Sequence, residues 1–149
     1  MRAEIVAASL MALIATVPAH AEPVSVLTTA RMERGCGDFL AQTGKKPAHV
    51  IYVGCSYKPD RQGKPLQAVY HVAGRFAAAA EADLVRHTGL NRLKRSCCQW
   101  DAPASQFRDG NGREFSIVMV SDETVVARRS EWRQIGTFEI IVETFTEDI

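Results

Sequence analysis

The first 21 residues, MRAEIVAASLMALIATVPAHA, constrain the rest of the chain more than any other segment. Arg2 gives a positive start that Glu4 partly offsets. Residues 5–17 are apolar over a length typical of an export signal, short of the ~20 residues a membrane-spanning helix needs. Ala19 and Ala21 place small residues at the two positions a signal peptidase reads, which predicts cleavage after Ala21. No cysteine sits at the cut, so no lipid anchor is expected, and no membrane span remains after cleavage. On this reading residues 22–149 fold in the periplasm or outside the cell, where thiols oxidise to disulfides.

That compartment governs how the cysteines are read. All four, Cys36, Cys55, Cys97 and Cys98, follow the signal. An even count in an exported chain predicts two disulfides, and four cysteines allow three pairings. Joining the neighbours Cys97 and Cys98 strains the backbone. The expectation is therefore that they point in opposite directions from an extended segment, one bonding Cys55 and the other Cys36. Each bridge would stabilise by roughly 3–4 kcal/mol, chiefly by restricting the unfolded chain. A redox or metal role is the weaker alternative. Thiol–disulfide enzymes usually set two residues between their cysteines, and adjacent ligands crowd a zinc ion.

Residues 22–149 make one domain large enough to bury a core. Arg2 and Glu4 cancel, so that part keeps the formal net charge of +1. No basic or acidic excess points to nucleic acid or to an anionic membrane. An apolar content of 46% is that of a globular protein and excludes a disordered tail.

Residues 28–42 predict a helix with Met32, Cys36, Phe39 and Leu40 on one face, capped by Thr28 or Thr29 and ended by Gly44 and Pro47. Gly35 and Gly37 work against it by about 1 kcal/mol each. Residues 48–57 and 66–73 predict an antiparallel hairpin, and in the second strand Leu66, Ala68, Tyr70 and Val72 alternate with Gln67, Val69, His71 and Ala73. Residues 75–88 predict the clearest helix, with Phe76, Ala80 and Leu84 as its stripe and Gly89 as its C-cap. A short third strand over 96–101 carries Cys97, Cys98 and Trp100, a loop spans 102–112, and strands follow at 113–121 and 136–145. Residues 122–132 are polar and read as a short helix or a long loop. The order α-β-β-α-β-β-β predicts an α+β fold, with a mainly antiparallel sheet of about five strands and two helices packed on one face.

No set of residues converges on catalysis. His49, His71 and His87 form no metal-ligand spacing, and the serines lack a nucleophile-elbow context. Asp122-Glu123 and Glu147-Asp148 read as solvated charge, because acid–base hydrolysis needs carboxyls facing each other across a cleft. No catalytic residue, metal or cofactor is expected. Trp100 and Trp132 read first as core. Trp132, in a polar segment beside Arg128 and Arg129, is the better candidate for an exposed anchor at a protein interface.

The run Leu66-Gln67-Ala68-Val69-Tyr70-His71-Val72-Ala73-Gly74, the Cys97-Cys98-Gln99-Trp100 run and residues 138–148 resemble a family of small exported proteins of Gram-negative bacteria classed as a domain of unknown function. The resemblance implies a periplasmic or secreted α+β protein and carries over no catalytic residue. In size, export and disulfides the chain is also similar to periplasmic immunity proteins, which block toxins. The expected function is that of a small exported binding or inhibitor-type protein, immunity-like, with a protein partner in the cell envelope. The alternatives are a thiol/disulfide redox or other envelope enzyme, and a structural envelope-associated protein.

Overall fold

The computed structural model describes residues 35–147. The signal-like leader, and the expected first helix as far as residue 34, lie outside the described residues. In chain order the elements are α1 (Phe39–Gln42), β1 (Ile51–Tyr57), β2 (Leu66–Ala73), α2 (Gly74–Thr88), β3 (Lys94–Ser96), β4 (Gln99–Asp101), β5 (Ser105–Arg108), β6 (Glu114–Ser121), a 3-10 turn (Arg129–Gln134) and β7 (Thr137–Thr144).

Five strands form an antiparallel sheet in the order β1-β2-β7-β6-β5, and β3 and β4 form a separate two-stranded hairpin. The α+β architecture with a mainly antiparallel sheet is as expected from the sequence. β7 is last in the chain but central in the sheet, because Ile140 and Val142 find apolar partners on β2 and β6 alike, while Phe138 lies opposite Val72 of β2. Registered rows cross the strands on one face: Tyr52, Tyr70, Ile140 and Met119, then Cys55, Ala68, Val142 and Ile117. Ile117, Met119, Ile140 and Val142 are all fully buried. Burying such a side chain is worth roughly 1.5–3 kcal/mol. That exceeds any strand propensity, so packing decides which face turns inward.

α1 and α2 pack on this face. Leu40 N–H donates to the Tyr70 hydroxyl (3.1 Å), and the Phe39 ring lies 5.4 Å from that of Phe115. α2 buries Ala77, Ala80, Glu81 and Leu84, and ends at Gly89 in the left-handed region (φ 70°). Its first residue must be glycine. A Cβ on Gly74 would stand 2.1 Å from the Trp132 carbonyl oxygen and 2.2 Å from that of Ile135.

Three expectations are corrected in detail. The first helix is one turn in its described part. Asp38 accepts from Ala41 N–H (3.0 Å) and starts the helix there, after the glycines that flank Cys36. The strand expected over 96–101 is instead a hairpin turning at Cys97-Cys98, with Ser96 paired to Gln99. The loop expected over 102–112 contains β5, since Phe107 pairs with Phe115 across the ladder and stacks on it at 5.1 Å. The polar stretch after β6 resolves into extended chain and the 3-10 turn.

Candidate functional site

The cysteines do not pair as expected. Cys36 bonds Cys55, with Cα atoms 5.5 Å apart. Cys55 sits on the core face of β1 beside Ala68, where the chain before α1 can reach it. Cys97 and Cys98 are free, exposed thiols. Both are turn residues, so neither side chain is aimed inward as an extended strand would aim one of them. Cys97 is held at φ 47°, and the Cys98 carbonyl accepts from Thr124 N–H (2.6 Å). The Cys98 thiol is raised above its ordinary pKa, first by a hydrogen bond with Cys97 and then by the charge of Cys97.

The expected interface trio also separates. Trp132 is 1% exposed and is a core residue, edge-on to Trp100 at 5.2 Å and 4.9 Å from Phe138. The polar residues around it mark the outer side of the 3-10 turn, whereas Trp132 lies on the inner side against α2 and the sheet. Arg129 is occupied as well. Its guanidinium lies over Trp132 (4.6 Å) and Trp100 (5.6 Å). It donates to Glu81 Oε2 (2.5 Å) and Oε1 (3.0 Å) and to the Leu93 carbonyl, while Leu93 N–H donates to Glu81 Oε1 (2.7 Å). Glu81 is 1% exposed, so this arginine neutralises a buried carboxylate on α2 and locks the 3-10 turn to it. Arg128 alone stays on the surface, paired with Glu131. The Arg128 hydrogen bond holds the Glu131 carboxyl below its ordinary pKa.

The second face of the sheet carries no helix among the described residues. Its registered rows are Ile51, His71, Glu139 and Val120, then Gly54, Val69, Ile141 and Val118, then Ser56, Gln67, Glu143 and Ser116. The middle row is apolar across β2, β7 and β6. It leads towards the free edge strand β1, where Ile51 is 66% and Val53 is 55% exposed. A register shift between Tyr52 and Gly54 bulges β1 at Val53. The polar row closes one side. Arg61 donates to both oxygens of Glu143, and Gln67 donates to Glu143 Oε1 (2.6 Å). Arg61, Gln67, Ser116, Val118, Ile141 and Glu143 line most of a shallow dish of about 280 Å3 there. On the other side His71 lies 3.6 Å from Glu139.

The sequence reading missed this face, since Val69 and Ile141 sit at the otherwise polar positions of their strands. A single large apolar residue among the polar positions of β2 or β7 carries no signal. The antiparallel register alone shows that Val69, Ile141 and Val118 fall opposite one another.

Among the described residues no group of three or more His, Cys, Asp and Glu is placed to hold a metal ion. No helix among them is long and apolar enough to cross a membrane.

No curated protein and no solved structure is detectably similar to the chain. A family profile does match. It describes a domain of unknown function (DUF4952) and covers residues 25–100, half of the chain, running through α2 and the β3–β4 turn to Trp100. The chain therefore belongs to the DUF4952 family of domains of unknown function.

Proposed function

We propose that this protein is an exported binding or inhibitor-type protein, without catalysis of its own, that engages a protein partner of the cell envelope through the open face and free edge of its sheet. The observation that carries this reading is the apolar row Val69, Ile141 and Val118, continued to the exposed Ile51 and Val53 on edge strand β1. An edge strand offers unpaired N–H and C=O groups to an added strand, and apolar side chains beside it give the added strand a surface to cover. The partner fitting that surface is an extended polypeptide segment with apolar residues at alternate positions. Polar rims at Arg61–Glu143 and His71–Glu139 would set its register.

The signal-like leader and the Cys36–Cys55 bridge support a periplasmic or secreted location. The likeness of the Cys97-Cys98-Gln99-Trp100 run to small exported Gram-negative proteins supports the same compartment.

A photo-crosslinking residue at Val53, compared with one at Arg86 on the outer side of α2, tests the site in envelope extracts. Crosslinks to one discrete protein from position 53 and none from 86 support it. Equal labelling from both positions, or none from 53, refutes it.

A further inference from the structure

The thiols of Cys97 and Cys98 are unused by the binding face. They lie in the β3–β4 turn, on a hairpin whose Trp100 packs into the core. Three features set them apart from a spare pair of cysteines. Both are exposed and free. They sit side by side in a two-residue turn held at both ends by the Ser96–Gln99 pair. Cys97 occupies the left-handed region (φ 47°), where such turns favour Gly, Asn or Asp. A residue with a Cβ costs roughly 1–2 kcal/mol there. A side chain kept at that cost directs attention to its chemistry.

We propose that Cys97 and Cys98 form a redox-labile dithiol that takes up the oxidising equivalents of a low-molecular-weight disulfide such as oxidised glutathione. The Cys97 thiolate attacks one sulfur of that disulfide and expels one small thiolate. The Cys98 thiolate then attacks Cys97 Sγ in the mixed disulfide and expels the second. The protein dithiol loses two electrons and two protons and gains the Cys97–Cys98 bond, and the small disulfide is reduced to two thiols. Cys98 suits the second role, because the hydrogen bond and charge of Cys97 raise its thiol above the ordinary pKa. Adjacency makes the closing step intramolecular, which favours it over attack by a second small molecule.

The product is easily reversed. Cα atoms joined by a trans peptide are about 3.8 Å apart, closer than the ~4.4–6.8 Å of ordinary disulfides. The ring is therefore strained and more readily reduced than a structural bridge such as Cys36–Cys55. Closing it also disturbs the Cys98 carbonyl, which Thr124 N–H holds at 2.6 Å, and so reaches the segment that carries Arg129 and Trp132.

The test is treatment of the intact protein with oxidised glutathione, followed by mass measurement and mapping of the peptide that carries both thiols. The expected result is loss of two hydrogens from that peptide, disappearance of both titratable thiols, no retained glutathione, and full return under mild reductant that leaves Cys36–Cys55 intact. Cys98→Ser should instead retain one glutathione on Cys97. Two glutathiones retained on the unaltered protein, a bridge from either thiol to Cys36, Cys55 or a second chain, or no reaction at all would each overturn the proposal. Both residues are exposed, so the serine variants are expected to fold, and circular dichroism verifies it.

Discussion

Replacing Arg129 with methionine strands a buried charge, and its cost follows from the structure. Glu81 is 1% exposed and would keep only Leu93 N–H as partner (2.7 Å). Removing one member of a buried ion pair costs about 3–5 kcal/mol. The Arg129 side chain is itself 36% exposed, so water would reach part of the site and the lower end applies, about 3 kcal/mol. Loss of the hydrogen bond to the Leu93 carbonyl adds about 1 kcal/mol, and methionine replaces much of the packing between Trp100 and Trp132. The total of about 4 kcal/mol is a large share of the ~5–15 kcal/mol of a typical domain. With a urea slope of roughly 1–3 kcal/mol/M it lowers the midpoint by on the order of 2 M. Glu81→Gln in the same chain removes the stranded charge while its amide oxygen still accepts from Leu93. The double variant should therefore recover roughly 1–2 kcal/mol relative to Arg129→Met alone. Urea unfolding of the four proteins, at constant slope, measures this coupling. A cost below about 0.5 kcal/mol for Arg129→Met, or a double variant less stable than the single, would refute the assignment of Arg129 as the counter-charge of Glu81.

Two further outcomes follow from the same geometry. Gly74→Ala drives a methyl group to 2.1 Å from a backbone carbonyl that cannot easily yield, and should cost at least about 2 kcal/mol, whereas Gly54→Ala, with nothing within 4 Å of its Cβ, should cost well under half of that; thermal melts separate them. The Glu131 carboxyl, held down by Arg128, contributes its stabilisation above the unfolded pKa and loses it as pH falls through the lower folded value. Arg128→Ala should move the Glu131 titration, followed by NMR of the side-chain carboxyl, up towards the ordinary glutamate value, and an unmoved titration would show that Arg128 is not the cause.

Much of the fold was legible because it rests on short-range rules. The period of two in residues 66–73 and in Phe138, Ile140 and Val142 marks strands with one buried face, and Gly89 ends α2 where its left-handed φ is needed. The sites were less legible because they rest on contacts between distant parts of the chain. Trp132 and Arg129 stand among polar residues, and nothing local says that Glu81, 48 positions earlier, will draw Arg129 inward. The β5 strand was invisible for the same reason, since four residues become a strand only when Phe107 meets Phe115.

The sequence by itself determined the α+β class, the alternating strands, the long helix and its cap, and the presence of thiols able to bridge. Local spacing sets which side chains share a face, and that information is complete within a few residues. The tertiary structure alone decided three things. It chose Cys36–Cys55 over the other pairings, because only that pair is brought within bonding distance on the core face. It left Cys97 and Cys98 together at a turn, because the hairpin reverses at these two residues, between the paired Ser96 and Gln99. It aligned Val69, Ile141 and Val118 into one apolar row, because register across an antiparallel sheet is a property of strand pairs and of no strand alone.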